Sequence, residues 1–317
     1  MKPKLLVILG TTSTGKTDLA LELAKKQNGE LVSADSRQVY THLDIGTGKL
    51  PGSYETLEKG DGFWEIDGIK IWMYDVVNPE IRFNLYEYIK QASEKIKEIA
   101  SRGKLPILVG GTGLYIRSLL GGISNFGIAE NNDLRGELEE LAIDEIRKRI
   151  SPEVLSKLNN SDINNKRRLI RLVELSVNSE EKTEESFEGL QKDYDILKVG
   201  LATDRNIVRD KISHRLIKRI NEGMVEESKD LMEKGLLNYE RMEELGLEYR
   251  YLAKFLKGEI KSTEDFLKVL STKISQFAKR QETWFKKDEG VVWFDISNPD
   301  LYKQVEMEVS DWYNTPK

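Results

Sequence analysis

The sequence predicts an α/β fold: a doubly wound, mainly parallel sheet built around a phosphate-binding loop (P-loop), with a helical insertion domain. Three observations predict it. A short apolar run, Lys4–Gly10, leads through a glycine-bearing loop into a helical pattern. Further apolar strand runs alternate with helical ones up to Val109. A charge-rich helical stretch then intervenes, before Ile196 to Leu201 reads as a strand that returns the chain to the sheet.

The elements follow in order. In residues 17–27, Leu19, Ala20, Leu23 and Ala24 recur at helical spacing, and residues 30–34 form a second strand. Residues 63–74 read as a hairpin, because two aromatic and aliphatic runs flank Asp67-Gly68, a favoured tight-turn pair. Residues 85–102 form an amphipathic helix, and residues 105–109 a buried strand closed by Gly110-Gly111-Thr112-Gly113. Residues 121–132 read as loop and 133–179 as mostly helical, with caps at Ser151-Pro152 and Ser161-Asp162. Residues 195–202 are a strand, and 206–234, 242–256 and 263–286 are helices. Residues 291–294 suggest a last strand of open placement. The expected organisation is a core over 1–121, a helical insertion over 122–195, and a return to the core with C-terminal helices over 196–317.

Composition narrows the function. The chain has 317 residues, 39% hydrophobic and 32% charged, with a net charge of −5. No apolar run approaches the ~20 residues of a membrane helix. No signal-peptide pattern opens the chain, so a cytoplasmic protein that makes no membrane contact is expected. The absence of cysteine excludes thiolate catalysis and cysteine-bound zinc, and two histidines make a histidine metal cluster a poor expectation. The net charge gives no overall nucleic-acid footprint. Local basic runs do occur at Lys166-Arg167-Arg168 with Arg171, at Arg215 with Lys218-Arg219, and at Lys279-Arg280 with Lys286-Lys287. Each reads either as a phosphate contact or as a solvated helix face.

Gly10, Thr11, Thr12, Ser13, Thr14, Gly15, Lys16 and Thr17 fit G-x-x-x-x-G-K-[ST] between a strand and a helix, the context this motif requires. Such a loop turns backbone amides toward an anion at a helix N-terminus. Lys16 then supplies a point charge for the terminal phosphates, and Thr17 a hydroxyl for Mg²⁺. The motif alone leaves open whether the diphosphate belongs to a nucleotide. The carboxylates placed to assist are Asp35 and Asp75, each at the end of an apolar run.

Four further strings sharpen the reading. They are Asp35-Ser36-Arg37-Gln38-Val39-Tyr40 with Asp44-Ile45-Gly46-Thr47-Gly48-Lys49; Val109-Gly110-Gly111-Thr112-Gly113-Leu114-Tyr115; Asn164-Asn165-Lys166-Arg167-Arg168-Leu169-Ile170-Arg171; and Gln276 through Lys279-Arg280-Gln281 to Trp284-Phe285. With the P-loop they resemble the tRNA dimethylallyltransferase (tRNA isopentenyltransferase) family, bacterial type, in the right order from about Gly10 to Phe285.

The resemblance implies transfer of a dimethylallyl group from dimethylallyl diphosphate to the exocyclic amine of the adenosine 3′-adjacent to the anticodon in tRNA, with ATP not consumed. It implies Asp35, Thr112, Lys16 and Arg215 as catalytic residues, Arg215 reading equally as a surface arginine. It implies Mg²⁺ at Thr17. It implies contacts to the tRNA anticodon stem-loop from Asp35, Ser36, Arg37, Gln38, Arg135, Arg167, Arg168, Leu169, Ile170, Arg171, Tyr249, Arg250, Lys279, Arg280 and Gln281. Trp284, Phe285, Tyr40 and Tyr115 read as core. Glu248 stands where the family usually has glycine, and Lys211 where it more often has arginine. A monomer is expected. The alternatives are a relative acting on free adenine nucleotide, a P-loop kinase or ATPase, and a non-catalytic RNA-binding protein.

Overall fold

The computed structural model describes residues 2–123, 131–177 and 186–315. Most of the predicted 121–132 loop, the end of the helical stretch at 178–179 and residues 180–185 lie outside them. Two compact units form: Met1–Gly121 with Gly189–Lys317, and Gly122–Glu188.

In the first unit, eight strands form one sheet in the order β3-β4-β5-β2-β6-β1-β7-β8. They are β1 (Lys4–Gly10), β2 (Gly29–Ala34), β3 (Leu57–Gly60), β4 (Phe63–Ile66), β5 (Ile69–Trp72), β6 (Leu105–Gly110), β7 (Asp195–Ala202) and β8 (Val291–Asp295). Only β4 runs against its neighbours. The expected mainly parallel α/β sheet is therefore present. Leu5 to Leu9 of β1 are all buried, as a central parallel strand covered on both faces requires. Each such side chain contributes roughly 1.5–3 kcal/mol.

The hairpin forms where Asp67-Gly68 predicts it, with both residues at positive φ, 49° and 77°. The composition of β3 gave no strand signal. It is added at the sheet edge, where Asp67 Oδ1 accepts the amides of Glu55 and Thr56 just before it, each at 2.9 Å. β8 pairs parallel with β7, which settles its placement.

Helices α1 (Lys16–Lys26), α2 (Leu85–Ser101) and α3 (Gly113–Gly121) belong to the first part of this unit. α2 opens on a complete capping box between Asn84 and Glu87. The predicted 206–234 helix is two, α9 (Arg205–Asn221) and α10 (Met224–Glu233), broken at Gly223 with φ 100°. The predicted 242–256 helix is likewise α11 (Tyr239–Leu245) and α12 (Leu247–Leu256), broken at Gly246 with φ 72°. α13 (Thr263–Phe285) follows. An additional α14 (Leu301–Asn314) buries Leu301, Val305 and Val309 at four-residue spacing. Among the described residues, no helix is long and apolar enough to cross a membrane.

The second unit contains α4 (Asn132–Glu140), α5 (Ile143–Arg147), α6 (Pro152–Ser156), α7 (Asn160–Ile163) and α8 (Lys166–Val177). Its core is Leu138, Ile146, Ile150, Leu169, Ile170 and Val173. The chain rejoins the first unit at Gly189, earlier than the expected 195, because buried Leu190 of a 3-10 turn packs beneath α3.

One ion cluster ties the N-terminal end of β2 to its surroundings. Buried Glu30 accepts from Arg102 at 2.7 and 2.8 Å, Lys104 at 2.8 Å and Trp72 Nε1 at 2.7 Å. Burial alone would raise its carboxyl, but these donors hold it at about 2 against an ordinary 4.5. The stabilisation is complete above pH 4.5 and is lost as pH falls toward 2. Discounted for the partly exposed Arg102 and Lys104, it is on the order of 2 kcal/mol. Acid unfolding of Glu30→Gln should therefore show a shallower loss of stability below pH 4.5 than the unaltered chain, as followed by denaturant titrations at stepped pH.

Candidate active site

Three loops meet at the C-terminal ends of adjacent parallel strands. The P-loop follows β1, Asp35 follows β2 and Thr112 follows β6, which lies between them. Open α/β sheets place ligands at such strand ends.

The P-loop is built for an anion. Gly10 sits at φ 147°, where a Cβ would collide with the Leu201 carbonyl of β7. Gly15 is the left-handed N-cap of α1, φ 78°, and no side chain caps that helix. Its first amides are thus left for a ligand. Thr14 Oγ1 donates to the Thr11 carbonyl at 2.8 Å, and Lys16 Nζ donates to the same oxygen at 2.6 Å. Burial, followed by the charge of Arg215, lowers the Lys16 ammonium to about 7, against a smaller opposing pull from Asp35.

Asp35 Oδ1 accepts the Arg37 amide at 2.8 Å. Thr112 fastens this turn to β6: its amide donates to the Ala34 carbonyl at 3.1 Å, and its Oγ1 accepts the Ser36 amide at 3.1 Å. Thr12 to Asp18, Asp35 to Gln38, and Thr112 line one cleft of about 610 Å³. The face of α9 carrying Lys211, Arg215, Lys218 and Arg219 lines it too, as does Glu248 of α12. Arg215 Nη1 donates to Ser13 Oγ at 3.3 Å, so this arginine stands at the P-loop, placed to clamp its anion.

Several expected contacts lie elsewhere or are already engaged. Asp75 is occupied by fully buried Lys49 on Oδ1 and by Trp64 Nε1 at 2.6 Å on Oδ2, so it serves the core. Gln281, expected to contact tRNA, lines the same cleft from α13. It is buried, accepts the Thr12 amide at 2.9 Å and donates to the Gly111 carbonyl at 2.8 Å, tying the P-loop to the end of β6. Tyr249 is buried and donates to Glu227 at 3.2 Å. Leu169 and Ile170 are core side chains of the insertion.

Arg135 forks onto buried Glu174 at 2.6 and 2.9 Å, and Arg171 joins that carboxylate at 3.2 Å, so both brace α8. Arg250 donates to the Glu243 carbonyl at 3.1 Å. Gln38 is held by Ser33 Oγ at 2.9 Å and reaches the Gly48 carbonyl at 3.4 Å. Arg167 and Arg168 remain exposed on α8, as do Lys279 and Arg280 on α13. Tyr40, Tyr115 and Phe285 are buried, and Trp284 packs against Gly113.

Sequence reasoning missed Asp18, Arg219 and Glu248 as cleft residues. Asp18 had a signal in its place beside Thr17. Arg219 had one in its four-residue spacing from Arg215.

The model of the family described as IPP transferase matches residues 38–288, and that described as isopentenyl transferase matches residues 3–62. The chain belongs to the IPP transferase family. It is 38% identical to tRNA dimethylallyltransferase 2 of Treponema denticola, over 89% of this chain and 91% of that one. It is 34% identical to tRNA dimethylallyltransferase of Bacillus cereus, over 96% and 93%. Among solved structures it resembles a tRNA delta(2)-isopentenylpyrophosphate transferase from Staphylococcus epidermidis, with TM-score 0.67, 32% identity and 99% of each chain covered. A eukaryotic dimethylallyltransferase acting on tRNA shares the fold, with TM-score 0.76 and 23% identity, over 99% of this chain and 80% of that one.

Proposed function

We propose that this chain transfers a dimethylallyl group from dimethylallyl diphosphate to the exocyclic amine of the tRNA adenosine on the 3′ side of the anticodon, releasing diphosphate. One observation carries the reading: Lys16 of an uncapped P-loop and Asp35 open onto the same cleft. The chain is a tRNA prenyltransferase.

The bond from the allylic carbon to oxygen breaks, and its electron pair leaves with the diphosphate. The bond from that carbon to the adenine nitrogen forms, and the nitrogen loses a proton. The barrier lies in separating charge, so donors preset around the leaving group lower it. The first amides of α1, Lys16 and Arg215 supply them. Asp35 accepts a hydrogen bond from the amine and takes its proton as the new bond forms. Thr112 holds the Asp35-Ser36 turn across β6.

Thr17 and Asp18 at the cleft are oxygen donors of the kind Mg²⁺ takes alongside substrate phosphates. A bound ion would offset charge on the diphosphate. An unpaired anticodon-loop base can splay out to reach such a cleft. Arg167 and Arg168, the exposed pair of the insertion, are assigned to the phosphates of the stem.

The test is mass spectrometry of anticodon-loop nucleosides after unmodified tRNA, dimethylallyl diphosphate, Mg²⁺ and the protein are incubated together. A dimethylallyl adduct on that adenosine is expected. Unaltered nucleosides, or faster prenylation of free AMP than of tRNA, would reject the proposal.

A further inference from the structure

The P-loop clamp described above has a neighbour that it does not use. Arg215 and Arg219 stand four residues apart on α9 and share a face. Gly48, at φ 64°, brings backbone against both. A Cβ there would collide with Arg219 Nη2 and lie 2.9 Å from Arg215 Nη2. Two guanidiniums therefore crowd one spot on the cleft wall. Burial, then the neighbouring Arg219, lowers Arg215 to about 10.

Arg219 is almost as enclosed, with a side chain only 12% exposed. Its described contacts are weak: the Gly46 carbonyl at 3.4 Å and Glu248 Oε1 at 3.8 Å. The second is an ion-pair distance beyond a hydrogen bond. A guanidinium has five N–H donors, so most of this one's capacity faces the cleft unspent. Glu248, in the first turn of α12, is the one carboxylate that the described ion pairs set against it, and it lines the same cleft.

The Gly46 carbonyl is itself fixed. Glu227 accepts the amides of Asp44, Ile45 and Gly46 at 2.9, 2.7 and 3.0 Å, anchoring this loop to α10. The arginine is thus held by a rigid wall and by a carboxylate that does not saturate it.

Resting on the diphosphate reading of the cleft, we propose that Arg219 is a second diphosphate-binding arginine and that Glu248 limits how tightly the cleft holds the released diphosphate. Lys16, Lys211, Arg215, Lys218 and Arg219 all line the cleft. That many cations favour departure of the leaving group, but they also favour retention of the product, and product release limits many enzymes. A carboxylate beside the outer arginine lowers the field there without touching the P-loop.

The two residues then make opposite predictions. Inorganic diphosphate is titrated calorimetrically, with Mg²⁺ and at mildly alkaline pH, into the unaltered protein, Arg219→Gln, Glu248→Gln and Lys16→Met. Arg219→Gln should weaken binding by roughly 10- to 100-fold. Glu248→Gln should tighten it by roughly tenfold, and should slow steady-state turnover more than a single turnover. A gain in affinity cannot come from a damaged fold, so this variant separates the proposal from simple loss of structure.

The proposal is overturned if Arg219→Gln binds diphosphate normally, including the case in which it loses tRNA affinity instead. It is also overturned if Glu248→Gln binds diphosphate no more tightly. If Lys16→Met weakens binding and Arg219→Gln does not, only Arg219 is misassigned. If Lys16→Met binds normally, the diphosphate reading of the P-loop itself fails.

Discussion

Replacing Lys16 with methionine is expected to lower kcat/KM for dimethylallyl diphosphate by roughly 10²- to 10³-fold, with tRNA affinity unchanged. Lys16 closes on the Thr11 carbonyl at 2.6 Å, beside the uncapped amides of α1. It is the P-loop group whose charge answers the leaving diphosphate. Its ammonium is lowered to about 7 in the free cleft, first by burial and then by Arg215.

A bound diphosphate favours the charged form, so binding draws a proton onto this nitrogen. Below about pH 7 the proton is already present, and no uptake is due to Lys16. Above it, binding takes up as much as about one proton, and affinity falls as pH rises. Calorimetry in buffers of different ionisation enthalpy measures this uptake. The difference between the unaltered chain and Lys16→Met isolates the lysine from the titration of the diphosphate itself. An equal proton uptake in both would remove Lys16 from the phosphate site.

Asp35→Asn is expected to slow single-turnover prenyl transfer by ~10²-fold or more, while diphosphate affinity stays near that of the unaltered chain. Asparagine keeps the oxygen that accepts the Arg37 amide at 2.8 Å. The turn is therefore preserved, and the loss reports on the proton rather than on the fold. Rapid-quench assays with tRNA under saturating dimethylallyl diphosphate make the comparison. An undiminished rate would show that the amine loses its proton to another acceptor.

The parts of the site that were legible in the sequence are those written in consecutive residues. The P-loop combines a strand, a glycine-bearing turn and a helix start within residues 4–26, and Asp35 ends an apolar run. Arg215 was legible as a basic position, but its place at the P-loop depends on α9 folding back over the strand ends. What sequence could not give is pairing between distant residues. Asp75 is consumed by Lys49 and Trp64, Gln281 bridges two loops from α13, and Arg135 finds Glu174. In each case a polar side chain that looked available is spent on a buried partner.

The same applies to the fold. The two helix breaks are single glycines in left-handed or extended-positive conformation. β3 is a strand by pairing, since its side chains give no alternation of buried and exposed faces.

One cleft must let the carbon–oxygen bond to diphosphate break while an RNA amine bonds to that carbon. The most direct measurement counts products in a reaction of tRNA, dimethylallyl diphosphate and Mg²⁺ without ATP. One inorganic diphosphate is expected for each prenyl group found on tRNA, and no phosphate is expected when ATP is supplied in place of the prenyl donor. Diphosphate released without prenylated tRNA, or turnover of ATP by the P-loop, would contradict this.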